Sequence, residues 1–238
     1  TLQECWPLPR IDQILDRLVG SSLYSKMDLS NGYHQMSITA NSVPLTGFVT
    51  PMGHYEWLVL PQGIKQAPSV FSRRVHNCLQ HLYNKRFLSY YLDDLLTHTT
   101  PNQDHVSCLR QVFQSMRENN LHADISKCEF GASHITYLGH TASAEGIGPE
   151  KSKLESIQNW PIPDSVENLH HFMGLLSWFR RFIPQFTQQS SFLQNIIATQ
   201  QFVWTEEHTK QFEQLKHQII HHVTLPCFNT GADTAVWV

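Results

Sequence analysis

Between Phe87 and Thr99 the chain reads Phe-Leu-Ser-Tyr-Tyr-Leu-Asp-Asp-Leu-Leu-Thr-His-Thr, an apolar, β-prone run broken in its middle by two adjacent acids. Phe87 to Leu92 and Leu95 to Thr97 favour two buried strands, which puts Asp93 and Asp94 at a tight hairpin turn. A lone Asp-Asp pair is commonly just a solvated turn, because Asp is a frequent turn residue. Two like charges about 4 Å apart repel by roughly 1 to 4 kcal/mol, however, so a pair flanked by apolar strands points to a bound cation. Hard oxygen donors of this kind suit magnesium or manganese. Leu23 to Met27 reads as another apolar strand with Asp28 near its end, followed by Asn31-Gly32. Three carboxylates on neighbouring strands would form the ligand set of a two-metal phosphoryl-transfer centre, with ions about 3.5 to 4 Å apart.

At 238 residues and 41% hydrophobic content the chain can bury a real core in one or two domains. No apolar run approaches the roughly 18 residues of a membrane span, and the N-terminus lacks a basic region followed by an apolar one. Neither membrane nor secretory targeting is expected. Cys5, Cys78, Cys108, Cys128 and Cys227 are scattered, odd in number and without a C-x-x-C pair, which favours a reduced intracellular setting over a disulfide framework or a zinc cluster. His217, His221 and His222 approach Cys227 at loosely ligand-like spacing, but no second cysteine completes a zinc pattern. A net charge of −3 does not by itself suggest a polyanionic partner. Arg73-Arg74, Lys85-Arg86 and Arg180-Arg181 are local phosphate contacts or ordinary solvated faces.

Read in order, Ile11, Ile14, Leu15 and Leu18 predict a short amphipathic helix before the first acid-bearing strand, ending at Gly20. His34 to Thr39 alternates loosely like a strand, Asn41 to Pro44 marks a turn, and Phe48 to Thr50 and Tyr55 to Leu60 predict further strands. Phe71, Val75, Cys78, Leu79 and Leu82 share a helical face expected to pack beneath the sheet. Thr100-Pro101-Asn102 reads as the cap of a helix with the face Val106, Leu109, Phe113 and Met116. Leu121 to Phe130 looks extended, and Ile135 to Thr141 reads as a hairpin with Gly139 near its tip. Beyond Gly148-Pro149 the chain turns helical. One helix has the face Leu169, Phe172, Met173, Leu176, Phe179 and Ile183 behind an Asp164-x-x-Glu167 cap, and another has Thr205 as its N-cap.

Three strings then carry a resemblance. Ser25-Lys-Met-Asp28-Leu29-Ser-Asn31-Gly32-Tyr33-His-Gln35, Leu60-Pro-Gln62-Gly-Ile-Lys-Gln-Ala-Pro-Ser-Val-Phe71 and Tyr91-Leu92-Asp93-Asp94 resemble, in order and spacing, the palm motifs of reverse transcriptases. Gypsy-type retrotransposons are the nearest match, and the similarity runs from Trp6 to about Leu225. The resemblance implies an α+β fold: a polymerase palm, ferredoxin-like and split βαβ, with an antiparallel sheet and helices on one face, followed by a helical thumb and connecting segment. It implies a palm lacking most of the fingers at 1–145, a thumb at 146–200, and a tether with the start of a ribonuclease H-like domain at 201–238, where Asp233 lies too early to be a nuclease acid.

The resemblance further implies RNA-directed DNA polymerase activity within a retrotransposon Pol polyprotein. Asp28, Asp93 and Asp94 would be catalytic acids holding two Mg2+ ions, with Mn2+ an alternative, Asp28 and Asp93 bridging and Asp94 secondary. Leu29, Asn31, Gly32, Tyr33 and Gln62 would meet the nucleotide, Tyr33 as the ring that excludes a 2′-hydroxyl. Tyr91, Leu138 and Gly139 would meet the primer, and Lys127 corresponds to a lysine that gives a proton to pyrophosphate. The implied partners are an RNA template, a DNA primer, their RNA–DNA hybrid, deoxynucleoside triphosphates and the rest of the Pol polyprotein (fingers, ribonuclease H and integrase), in a cytoplasmic virus-like particle or the nucleus and with no membrane. Gln62 stands where many gypsy-type elements carry an aromatic residue. Leu45 and Val49 stand where relatives often carry basic ones, and the cationic fingers strands are expected upstream of Trp6. A transposon-derived, inactive nucleic-acid-binding fragment and another two-metal phosphotransferase on the same palm are the alternative readings.

Overall fold

The run that ends at Asp28 folds as strand β1, Leu23–Asp28. In this computed structural model, which describes residues 6–199, 201–221 and 225–226, β1 lies in the first of two units, Thr1–Ile135 and Thr136–Val238. Helix α1, Ile11–Arg17, precedes it. Strands β2, Phe48–Thr50, and β3, Gly53–Tyr55, form a separate hairpin. Helix α2, Ala67–Tyr83, strands β4, Leu88–Tyr91, and β5, Asp94–Thr99, helix α3, His105–Glu118, and strand β6, Glu129–Ala132, complete the first unit. The sheet order is β4-β5-β1-β6 with antiparallel pairs throughout, which is the ferredoxin-like split βαβ arrangement of an α+β fold.

Register decides which residues face the helices, because directly paired residues share a face and successive ones alternate. Met27 pairs with Leu95, and Leu95 with Tyr90. These three are buried with Phe71, Val75, Leu79 and Leu82 of α2 and Val112 and Met116 of α3 in one core. Each such side chain contributes about 1.5 to 3 kcal/mol by leaving water. The opposite face of β1 carries Tyr24, Lys26 and Asp28, set against His98, Leu96 and Asp94.

Several local expectations are corrected. Asp93 and Asp94 do not both sit at the turn: Leu92 and Asp93 form it, Leu92 takes a left-handed φ of 53°, and Asp94 already pairs with Tyr91. Such a two-residue loop needs positive φ at its first central position. The stretch after Tyr33 is no strand. It forms 3-10 turns at Gly32–Gln35 and Ala40–Thr46, joined by a lone bridge from Ser37 to Val59, and β3 ends at Tyr55. Helix α3 is capped by Asp104, whose carboxylate accepts from the Val106 amide. That helix is also rotated from its apolar stripe, burying His105, Cys108, Val112, Ser115 and Met116 and leaving Val106 58% and Phe113 43% exposed. The buried polar members are paired: Ser115 Oγ donates to the Cys78 carbonyl at 3.0 Å, and His105 bonds the hydroxyls of Ser25 and Thr99 at 2.7 and 2.8 Å. Small side chains with satisfied polar atoms can go inside where larger apolar ones would hold α3 off. The segment after Leu121 is interrupted by a 3-10 turn, Ile125–Lys127, started by Asp124.

Strand β7, His134–Tyr137, carries the chain from the first unit into the second, and with β8, His140–Ser143, β9, Gly146–Pro149, and β10, Leu225–Pro226, it forms a sheet in the order β10-β9-β8-β7. The β7–β8 turn is Leu138-Gly139, with φ of 50° and 77°, the pair of positive angles that a tight two-residue hairpin demands. Helices α4, Lys151–Gln158, α5, Val166–Trp178, α6, Phe186–Gln189, α7, Ser191–Thr199, and α8, Glu206–His221, enclose an aromatic core around Phe172, Phe179 and Phe212. The cap of α5 is Ser165 rather than Asp164, because its hydroxyl accepts from the Asn168 amide. Thr205 caps α8 as expected, accepting from His208 N at 3.2 Å. Among the described residues no helix is long and apolar enough to cross a membrane. The side chain of His221, and His222, Cys227 and Asp233 altogether, lie outside the described residues.

Candidate active site

Asp28, the last residue of β1, pairs directly with Asp94, the first of β5, so their side chains leave the same face of the sheet. The turn residue Asp93 is tied to the same place through its carbonyl, which accepts from the Leu29 amide at 2.9 Å. On the other side the Asp28 carbonyl accepts from Asp124 N at 2.9 Å. The three acids are thus fixed by backbone bonds to one end of a sheet whose other face is packed core, although Asp28 lies far from the other two in sequence.

Each of the paired acids has a lysine. Lys26 Nζ stands 3.4 Å from Asp94 Oδ1, and Lys127 Nζ stands 3.4 Å from Asp28 Oδ1. Burial pushes the Asp94 carboxyl above the usual carboxylate range; Lys26 pulls it back down, and Asp93 and Asp28 add to the rise. Lys26 was not assigned a role from sequence, though its signal was there: it lies two positions before Asp28, and a strand puts i and i+2 on one face.

The loop after β1 closes against the acids. Asn31 takes a left-handed φ of 46° and leads into the 3-10 turn at Gly32. A side chain at Gly32 is excluded by contact: a Cβ there would lie 2.7 Å from Phe71 Cζ and 3.4 Å from Asp93 Cβ. The same Phe71 ring supports Tyr33, with centroids 5.1 Å apart. Burial raises the Tyr33 phenol, and the nearby Asp93 charge and Tyr91 raise it further. Gln35 holds the loop in place, donating to the carbonyls of Ser30 at 2.5 Å and His122 at 2.8 Å and accepting from the His122 amide at 2.9 Å. Phe71 is expected from sequence only as a core residue of its helix and Gln35 only as part of a motif string, since an apolar helix residue and a loop glutamine carry no functional signature of their own. Leu29 is buried behind the loop, and Tyr91 is half-buried beside the turn. Gln62 is exposed in the turn before α2. Leu138 and Gly139 belong to the second unit's β7–β8 turn.

The donor set fits a hard divalent cation in kind, being carboxylate oxygens on a rigid edge. Among the described residues, however, no group of three His, Cys, Asp or Glu side chains stands ready to hold a metal ion. Asp28 and Asp94 are instead engaged by ammonium groups. A cation bound at Asp28 would take the place of the Lys127 ammonium there.

Residues 3–142 match the family described as reverse transcriptase (RNA-dependent DNA polymerase). The retrovirus-related Pol polyprotein from transposon 297 of Drosophila melanogaster is 33% identical over 222 residues, covering 92% of this chain and 21% of that protein. The corresponding polyprotein from transposon 412 of the same organism is 34% identical over 226 residues, covering 94% of this chain and 18% of that protein. The chain therefore spans less than a quarter of either relative. Among solved structures, the foamy viral protease-reverse transcriptase in complex with dsDNA superposes with a TM-score of 0.86 at 27% identity, over 97% of this chain and 48% of that one. The same viral protein in complex with RNA/DNA hybrid gives 0.80 at 27% identity, over 94% and 30%.

Proposed function

Because this chain belongs to the reverse transcriptase family, we propose that it is the catalytic portion of a retrotransposon Pol polyprotein that adds deoxynucleotides to a primer 3′-hydroxyl on an RNA or DNA template. The observation that carries this reading is the direct pairing of Asp28 with Asp94 and the backbone bond from Leu29 to Asp93, which gather three acids at one sheet edge. Asp28 and Asp93 would hold two divalent ions of the magnesium class, with Asp94 behind them. Such ions, when bound, favour deprotonation of the primer hydroxyl and offset the charge of the leaving pyrophosphate.

The chain's own residues bind and orient. The left-handed Asn31 and the side-chain-free Gly32 let backbone approach the triphosphate beside Leu29. The Tyr33 ring, held by Phe71, lies under the sugar and excludes a 2′-hydroxyl. Gln62 flanks the incoming nucleotide, Tyr91 and the Leu138-Gly139 turn meet the primer end, and Lys127 beside Asp28 gives a proton to departing pyrophosphate. In this reading residues 1–145 are the palm, 146–200 the thumb on the hybrid duplex, and 201–238 a tether toward a ribonuclease H domain. Fingers and integrase are other parts of the polyprotein.

The test is Asp93→Asn in the polyprotein, assayed for magnesium-dependent primer extension on an RNA template. Extension is expected to fall below detection with an unchanged thermal melt. Extension at the wild-type rate would remove the acids from the chemistry and leave nucleic-acid binding as the better account.

A further inference from the structure

Lys26 sits in the middle of the central strand β1, flanked by β5 and β6, on the face that carries the acids. Its direct cross-strand partners are Leu96 on β5 and the exposed Glu129 on β6, and Asp94, two residues before Leu96, is its diagonal neighbour. Diagonal neighbours stand about 7 to 8 Å apart, a gap that a long side chain crosses. The ammonium does cross it, ending 3.4 Å from Asp94 Oδ1 with both side chains only 29% exposed.

The second lysine is different in kind. Lys127 reaches Asp28 from a 3-10 turn with its side chain 62% exposed, so water and salt screen that pair and it contributes little to holding the carboxylate. Asp93 has no lysine or arginine at ion-pair distance among the described residues. The three acids therefore carry three grades of counter-charge: a shielded one on Asp94, a loose one on Asp28 and none on Asp93. A dication arriving at this edge meets least competition at Asp93 and Asp28.

We propose that Lys26 is a positioning residue: a built-in counter-ion that keeps the Asp94 carboxylate engaged and so reserves Asp28 and Asp93 for the divalent ions. This rests on the metal-binding reading of the acids given above. It explains why two adjacent acids, Asp93 in the turn and Asp94 in β5, would take unequal roles, since Lys26 reaches Asp94 only. Removing the lysine takes away a charge that repels the dication and frees Asp94 as an additional ligand. Metal binding by the acids should then tighten while its selectivity for two of them is lost.

The experiment uses the 238-residue chain and Mn2+ alone, titrated by the loss of the free-ion electron paramagnetic resonance signal, with near-ultraviolet circular dichroism as the check on folding. Lys26→Met is expected to tighten Mn2+ binding roughly tenfold, and Lys26→Arg to leave it within about twofold of wild type. Asp94→Asn alone is expected to weaken binding, but by less than Asp93→Asn does, and to cancel the gain when added to Lys26→Met. A merely structural lysine would lower the melting temperature without producing a gain that depends on Asp94. If Lys26→Met disturbs the fold, Lys26→Gln takes its place with the same expectations. Unchanged or weaker Mn2+ binding in the folded variant overturns the proposal, as does an Asp94→Asn loss as large as that of Asp93→Asn. Should Asp28→Asn and Asp93→Asn both leave Mn2+ binding untouched, the metal reading itself fails and takes this inference with it, an outcome separate from the other two.

Discussion

The two units fill their interiors with different chemistry. The first buries Ser25, Ser89, His98, Thr99 and His105 beside its aliphatic core, and these groups are chained: Ser21 and Ser89 hydroxyls meet the two ring nitrogens of His98, each at 3.1 Å, while Ser25 and Thr99 do the same for His105. The second packs rings among its aliphatic side chains, with Phe172 4.7 Å from Phe212 and 5.8 Å from Trp160. Its buried Lys216 is carried by the Trp160 carbonyl at 3.0 Å. Hydrogen bonds are directional and costly to leave unmade, so a chained polar interior specifies one arrangement of strands. Ring packing rewards fit and area more than direction. The unit with the directional interior is the one that holds three carboxylates at a set edge.

The largest effect that would break this comparison is expected in the second unit. Phe172 is fully buried and touches two other rings, so Phe172→Ala should cost about 3 to 5 kcal/mol through lost burial and the cavity left behind. Urea denaturation followed by tryptophan fluorescence measures it. A cost below about 1 kcal/mol would mean that the aromatic core re-packs freely and that its rings are not what specifies it.

The next effect belongs to the first unit and is read in pH. Burial, with smaller contributions from Arg17 and His105, pushes the His98 imidazole down to about 3. The unfolded imidazole takes up its proton near pH 6.5, while the folded one stays neutral to about pH 3. The unfolded state therefore holds more protons in that window, and the stability contributed above pH 6.5 is lost as pH falls through it. The slope of one such group is at most about 1.4 kcal/mol per pH unit. Urea midpoints between pH 7 and 4 should fall in the wild type, and the fall should be shallower in His98→Gln. Parallel profiles would assign the acid sensitivity to other groups and reduce His98 to packing.

How much of this could be read in advance follows from the same contrast. The gathering of the acids was legible because Asp28, Asp93 and Asp94 break the apolar pattern of their strands at the strand ends. The α2 stripe was legible because its buried residues are also its apolar ones. The rotation of α3 was not, since its inward face is chosen by hydrogen bonds from His105 and Ser115 to residues 80 and 37 positions away, and no local period records those. The same holds for the one-residue shift of the hairpin, which rests on the left-handed Leu92, a residue that rarely takes such an angle. Lys26 and Gln35 act through cross-strand and loop-to-loop contacts. Their meaning appears only once β1 has neighbours.

The smallest effect tests whether the polar interior is complete. Thr97 is fully buried, paired across the sheet with Ser25 and Leu88, yet its Oγ1 has no hydrogen-bond partner among the described residues. An unpaired buried hydroxyl costs about 1 to 3 kcal/mol, whereas valine has the same shape and a β-branched preference for strands. Thr97→Val is therefore expected to stabilise the chain by about 1 kcal/mol, seen as a higher urea midpoint at unchanged slope. Thr99→Val, in the same strand, should go the other way by about 1 to 2 kcal/mol, because it strips His105 Nδ1 of a partner 2.8 Å away. Opposite signs for the same substitution two residues apart would show that partners, not polarity, decide what this sheet tolerates inside. Destabilisation by both would mean that Thr97 is hydrogen-bonded in solution and that the first unit's network extends across the whole face of β5.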